Sequence, residues 1–121
     1  MVKRTSFVIA HRLSTVRHAD RIGHGTWLLD ESKIQDARIV DRKAYVERLA
    51  QFIADKRVTI EVCLTSNQQT VPELAGDLKL HPFGEMRKRR LSTTLCTDNR
   101  LVSNTDVSNE IARAVESSGL T

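Results

Sequence analysis

The chain has 121 residues, 40% hydrophobic and 28% charged, with a formal net charge of +4. That suits one folded domain and falls short of the roughly 250 residues of a closed α/β barrel. No apolar run approaches the about 18 residues of a membrane span, and two cysteines make neither a disulfide framework nor a CxxC zinc pair.

Positive charge gathers in the N-terminal third and in "MRKRR" (86–90). A nucleic-acid groove interleaves basic residues with aromatics. The five aromatic residues here all lie outside that run, so no nucleic-acid partner is expected. Basic residues closing a helix complement its dipole instead. Cys63 and Cys96 each end an apolar run and are expected to be free thiols in a reducing compartment. The apolar stretch after Lys3-Arg4 is too short for a signal-peptide core. The expected setting is cytoplasmic, with no membrane partner.

In chain order, "TSFVIAH" (5–11) is rich in β-branched and aromatic residues and reads as a strand. "STVRHAD" opens on Ser14, a helix-capping residue. "RIGHG" (21–25) is a short strand whose glycines flank His24. Residues 30–36 are polar and read as a loop. From Asp41 a long helix is expected: Val46, Leu49, Ala50 and Ile53 fall at i, i+3, i+4 and i+7, with Tyr45 and Phe52 widening the stripe. Val58–Leu64 is a β-forming run, and "TSNQQT" after it reads as a polar loop. "HPFGEMRKRR" carries Pro82 near a helix start, where proline is tolerated. "LSTTLCTDN" (91–99) is a third strand. "TDVSNEIARAVESSG" is an amphipathic helix ending at Gly119.

Strand and helix alternate three times after residue 20, which predicts βαβ units and a parallel sheet. The middle strand is expected at Val58–Leu64, with "SFVIA" the one segment left to cover an edge. All three strands end in polar residues: His24, Thr65-Ser66-Asn67 and Asp98-Asn99. In α/β sheets, ligands sit at the carboxyl ends of strands. A turn made by Asn and Asp is the competing reading of 98–99.

"RIGHGTWLL", "IEVCLTSNQQT", "HPF" and "TLCTDNRLVSNT" occur in the order and approximate spacing of the last three barrel strands of metal-dependent adenosine deaminases. Residues 20–110 therefore resemble the C-terminal part of that family. The resemblance implies an α/β fold forming a partial (β/α)8 TIM-barrel arc over residues 21–121. It implies hydrolytic removal of the 6-amino group of adenosine by a zinc-activated water, giving inosine and ammonia. It gives His24 the task of orienting and electrostatically stabilising that water, and makes Asp98 a zinc ligand. Asn99 takes the position of the purine contact, where the family usually has Asp; an amide donates and accepts but carries no charge. Glycines 23 and 25 match the motif too, and are expected to pack closely around His24.

A catalytic zinc takes about three protein ligands and an open position. The family's H-x-H pair and the His three residues before the proton-shuttling Glu have no counterpart here. The four histidines are His11, His18, His24 and His81, and His81, within "HPF", is read as structural. The family's first five strands are missing, and its last helix is expected to run past Thr121. Taken alone, the chain is expected to be inactive.

Residues 4–20, "RTSFVIAHRLSTVRHAD", resemble instead the switch-histidine segment of ABC transporter ATPase domains, with His11 in the histidine's place. No P-loop accompanies it. Residues 1–20 are thus read as a strand segment joined to the barrel piece, and Ser14 stands where a catalytic Glu would follow His11. The alternatives to a purine nucleoside deaminase are a non-catalytic structural or interaction fragment and an ABC ATPase remnant. Exposed sheet edges are expected to favour self-association.

Overall fold

The structure, a computed structural model, describes residues 20–119. The expected strand over 5–11, the Ser14 turn and the ABC-like placing of His11 lie outside those residues. Three parallel strands make one sheet in the order β1 (Arg21–Gly23), β2 (Thr59–Val62), β3 (Thr93–Leu95). Ile22 pairs with Ile60, and Val62 with Leu95. The middle strand and the parallel direction are those implied by the alternation.

Helix α1 (Arg42–Lys56) starts where Asp41 accepts a hydrogen bond from the Ala44 amide at 3.0 Å. Its expected stripe, Val46, Leu49, Ala50 and Ile53, is buried. Helix α3 (Phe83–Lys88) follows Pro82. Just beyond it, Arg89 donates to both carboxylate oxygens of Glu47 on α1, at 2.7 and 2.9 Å. That ion pair holds the Glu47 carboxyl below its usual range. Helix α4 (Arg100–Ser103) is one turn. Helix α5 (Val107–Ser118) is capped by Asp106 and closed by Gly119 in the left-handed region.

One expectation fails. "TSNQQT" lies in helix α2 (Leu64–Thr70), and its Thr65, Ser66 and Asn67 are buried. The apolar periodicity that marks most helices is missing, because apart from Leu64, which joins the core, the buried side chains of this helix are polar. Cys63 supplies no side-chain cap. Glu110 of α5, itself fully buried, accepts from the Thr65 amide at 3.3 Å and from the Thr105 hydroxyl at 3.0 Å. A carboxylate 45 positions away thus satisfies an amide that the local sequence leaves open.

The core lies between sheet and helices, around Ile22, Ile53, Ile60, Val62, Leu64 and Met86. Alternation in β2 buries Ile60 and Val62 and turns Thr59 and Glu61 to the opposite face. That second face is polar. Arg21 pairs with Glu61 at 3.0 Å, and the Thr59 and Ser92 hydroxyls meet at 3.1 Å. The sheet is therefore not apolar on both sides, as parallel strands commonly are. The strands are also shorter than the runs that announced them. Carboxyl-end backbone is diverted early into turns that build the site.

Candidate functional site

At the end of β1 the ladder continues for one more bond, His24 N–H to Glu61 O at 2.9 Å. Then the backbone turns sharply. His24 has φ 59° and Gly25 φ 62°, both left-handed, and the Gly25 amide reaches Gly23 O at 2.7 Å. A Cβ on Gly25 would lie 2.9 Å from Ile60 Cγ2. Glycine is needed there for both φ and space. The turn lifts the His24 imidazole to the mouth of the sheet, where its side chain is 39% exposed.

Asp98, after β3, is also left-handed, at φ 56°. Histidine and aspartate are among the few non-glycine residues enriched in that region, and clusters of such residues mark functional sites. The Asp98 Oδ2 atom accepts from the Ser66 hydroxyl at 2.8 Å and lies 3.7 Å from His24 Nε2. Strands β1 and β3 are not neighbours, yet their end residues converge across β2. Asn99 sits beside Asp98, but its Oδ1 caps α4, accepting from the Leu101 and Val102 amides at 3.2 Å each. Only its amide nitrogen is left to face a ligand.

Asn67 and His81 join the same cluster. Asn67 Nδ2 lies 3.1 Å from His24 Nδ1, and Asn67 Oδ1 lies 2.9 Å from His81 Nε2. The Phe83 amide donates to His81 Nδ1 at 3.0 Å. His81 was expected to be structural; it is buried and linked to His24 through one amide. The sequence signals for this were the "TSN" run at a strand end and the histidine before Pro82. Neither reveals the other. Burial and the nearby His24 push the His81 pKa down to about 4 from the ordinary 6.5.

That shift has a consequence for stability. The unfolded chain protonates His81 near pH 6.5 and the folded one only near pH 4. The stability it confers is complete above about 6.5 and is lost as pH falls from there towards 4. The loss is on the order of 3 kcal/mol at 1.36 kcal/mol per unit. In urea unfolding at stepped pH, His81→Gln is expected to flatten the decline between pH 6.5 and 4; an unchanged slope would refute the assignment.

The two cysteines are free. Burial, reinforced by Cys96 and the Asp98, Glu110 and Glu61 charges, pushes Cys63 up to about 12. Burial also raises Cys96. Both thiols stay protonated at neutral pH and are poor nucleophiles.

The donors present do not by themselves make a zinc centre. Among the described residues no group of three His, Cys, Asp or Glu side chains gathers to hold a metal ion, whereas a catalytic zinc takes three protein ligands. Nor, among those residues, is any helix long and apolar enough to cross a membrane.

Parallel strands alternating with helices, with polar side chains gathered at their carboxyl ends, are the pattern of an arc of a (β/α) barrel. The family model for adenosine deaminase matches residues 7–121. The chain belongs to the adenosine deaminase family. It is 38% identical to adenosine deaminase 1 of Streptomyces coelicolor, over 85% of this chain and 24% of that protein. Against the adenosine deaminases of Mycolicibacterium vanbaalenii and Mycobacteroides abscessus the identities are 40% and 42%, each over 84% of this chain and 26% of the relative. The chain thus spans about a quarter of the length of the curated relatives it matches. The family match also runs through most of residues 4–20, the segment with the ABC-like string.

Proposed function

We infer that this chain supplies one sector of an adenosine deaminase site, acting on a purine nucleoside when the remaining barrel strands are present. The observation that carries this reading is the convergence of His24 and Asp98, with Nε2 and Oδ2 3.7 Å apart at the mouth. Asp98 would be one ligand of a zinc centre whose other ligands come from strands outside residues 20–119. His24 would orient and polarise the water that replaces the 6-amino group of adenosine. The Asn99 amide nitrogen would donate to the purine ring. A cytoplasmic setting fits the two free thiols.

The test is complementation. The chain alone, with added zinc, is expected to leave adenosine untouched in an ultraviolet absorbance assay. Co-expressed with the N-terminal three-quarters of a relative, it is expected to give zinc-dependent conversion to inosine. Turnover by the chain alone that vanishes in Asp98→Ala would show a more complete site than this reading allows. No turnover from a soluble, associated pair would refute the reading.

A second reading, a non-catalytic assembling fragment, is favoured by one observation. Val107, Ile111 and Val115 lie four positions apart on one face of α5 and are 56%, 49% and 43% exposed. Beside the sheet edges, whose outer strands have three residues each, this helix face is a second surface expected to drive self-association. Sedimentation velocity at micromolar concentration is expected to show oligomers that Ile111→Lys disperses. A monomer at all concentrations would exclude this.

A further inference from the structure

We propose that Asn67 and His81 are positioning residues that lock the His24 imidazole in a single tautomer, with its proton on Nε2 facing Asp98. The argument starts from the Phe83 backbone N–H, which has no choice of role: it donates to His81 Nδ1 at 3.0 Å. That nitrogen is therefore unprotonated, and the neutral ring carries its proton on Nε2. His81 Nε2 then donates to Asn67 Oδ1 at 2.9 Å. The other end of the amide, Nδ2, donates to His24 Nδ1 at 3.1 Å. The His24 proton is left on Nε2, 3.7 Å from the Asp98 carboxylate.

Each assignment excludes its alternative. Reversing the Asn67 amide would ask His81 Nε2 to accept while its Nδ1 already accepts, leaving that ring without a proton. Protonating His81 on both nitrogens would set an N–H against the Phe83 N–H, and its burial opposes the charge. One backbone amide thus determines the direction of the whole chain. Partners behind an imidazole commonly set its tautomer and orientation. The neutral His24 ring therefore presents a donor at the mouth. It can steady an oxygen bearing negative charge but cannot remove a proton. The significance for deamination rests on the functional reading above; the lock itself does not.

The lock is read directly by 15N magic-angle-spinning spectra of the full chain, labelled at histidine and held at pH 7.5. This format tolerates self-association, and single-histidine variants assign the signals. In the wild type, His24 and His81 are each expected to show one pyrrole-type Nε2 and one pyridine-type Nδ1 at limiting shifts. Asn67→Asp places an acceptor against His24 Nδ1, so that nitrogen is expected to become protonated. His81→Leu frees the amide, and the His24 shifts are expected to move to solvent-averaged values. His81→Gln retains an acceptor and a donor and is expected to restore the limiting shifts, which a merely structural role for His81 would not do. Wild-type His24 shifts already averaged, or a His24 Nδ1 unchanged in Asn67→Asp, would overturn the proposal. Neither result reads activity. A failed lock beside working complementation would sink this inference alone, and a sound lock without complementation would sink only the deaminase reading.

Discussion

In the reassembled enzyme, Asp98→Ala and His24→Ala are each expected to lower turnover by at least about a hundredfold, the usual scale for losing one oriented electrostatic group. That is about 2.7 kcal/mol of barrier at 1.36 kcal/mol per tenfold. The two losses should differ in kind. Asp98 is the proposed zinc ligand, so metal content should fall with it. The His24 Nδ1 atom is engaged by Asn67, and the ring is assigned to the reacting water, so His24→Ala should retain metal. Metal analysis beside initial rates separates them. Equal metal loss in both variants would overturn the division of roles. The Ser66 hydroxyl, 2.8 Å from Asp98 Oδ2, aims that carboxylate and predicts a smaller loss on Ser66→Ala.

Gly25→Ala is expected to be among the most destabilising single changes in the chain. Gly25 has φ +62°, and a side chain in the left-handed region costs roughly 1–2 kcal/mol. Its Cβ would lie 2.9 Å from Ile60 Cγ2, a fully buried core atom in the middle strand. Overpacking of that kind costs about 1–3 kcal/mol more. The expected total, roughly 2–5 kcal/mol, is a large share of the about 5–15 kcal/mol that holds a domain folded. Gly76→Ala is the control, because a Cβ there meets nothing within 4 Å; it should change stability by no more than about 0.5 kcal/mol. Urea midpoints compare the two. Similar midpoints would mean that the turn carrying His24 yields easily, and that its left-handed backbone is not held by packing.

The buried stripe of α1 was legible because apolar residues recur at helical spacing, and spacing survives in a linear string. The same holds for the close of α5 at Gly119. The alternation of strand and helix, with polar residues at each strand's carboxyl end, gave the parallel sheet and pointed to His24 and Asp98 before any distance was known. The two glycines around His24 are read in the sequence as close-packing positions, and Gly25 is one, since a Cβ there would lie 2.9 Å from Ile60 Cγ2.

Tertiary structure alone decided the rest. Helix α2 was hidden because its buried side chains other than Leu64 are polar, and the carboxylate that caps it belongs to Glu110 in the last helix. Asn99 reads as a free amide in sequence, yet a local turn takes its oxygen. The cluster that orients His24 joins residues 14, 32 and 43 positions apart. Propensity and periodicity are local and carry no trace of such partnerships. Hydrogen bonds form wherever register and the turn geometry at strand ends bring donor and acceptor within about 3 Å. Composition made a polar mouth foreseeable, while the direction of each proton within it was decided by one backbone amide, that of Phe83.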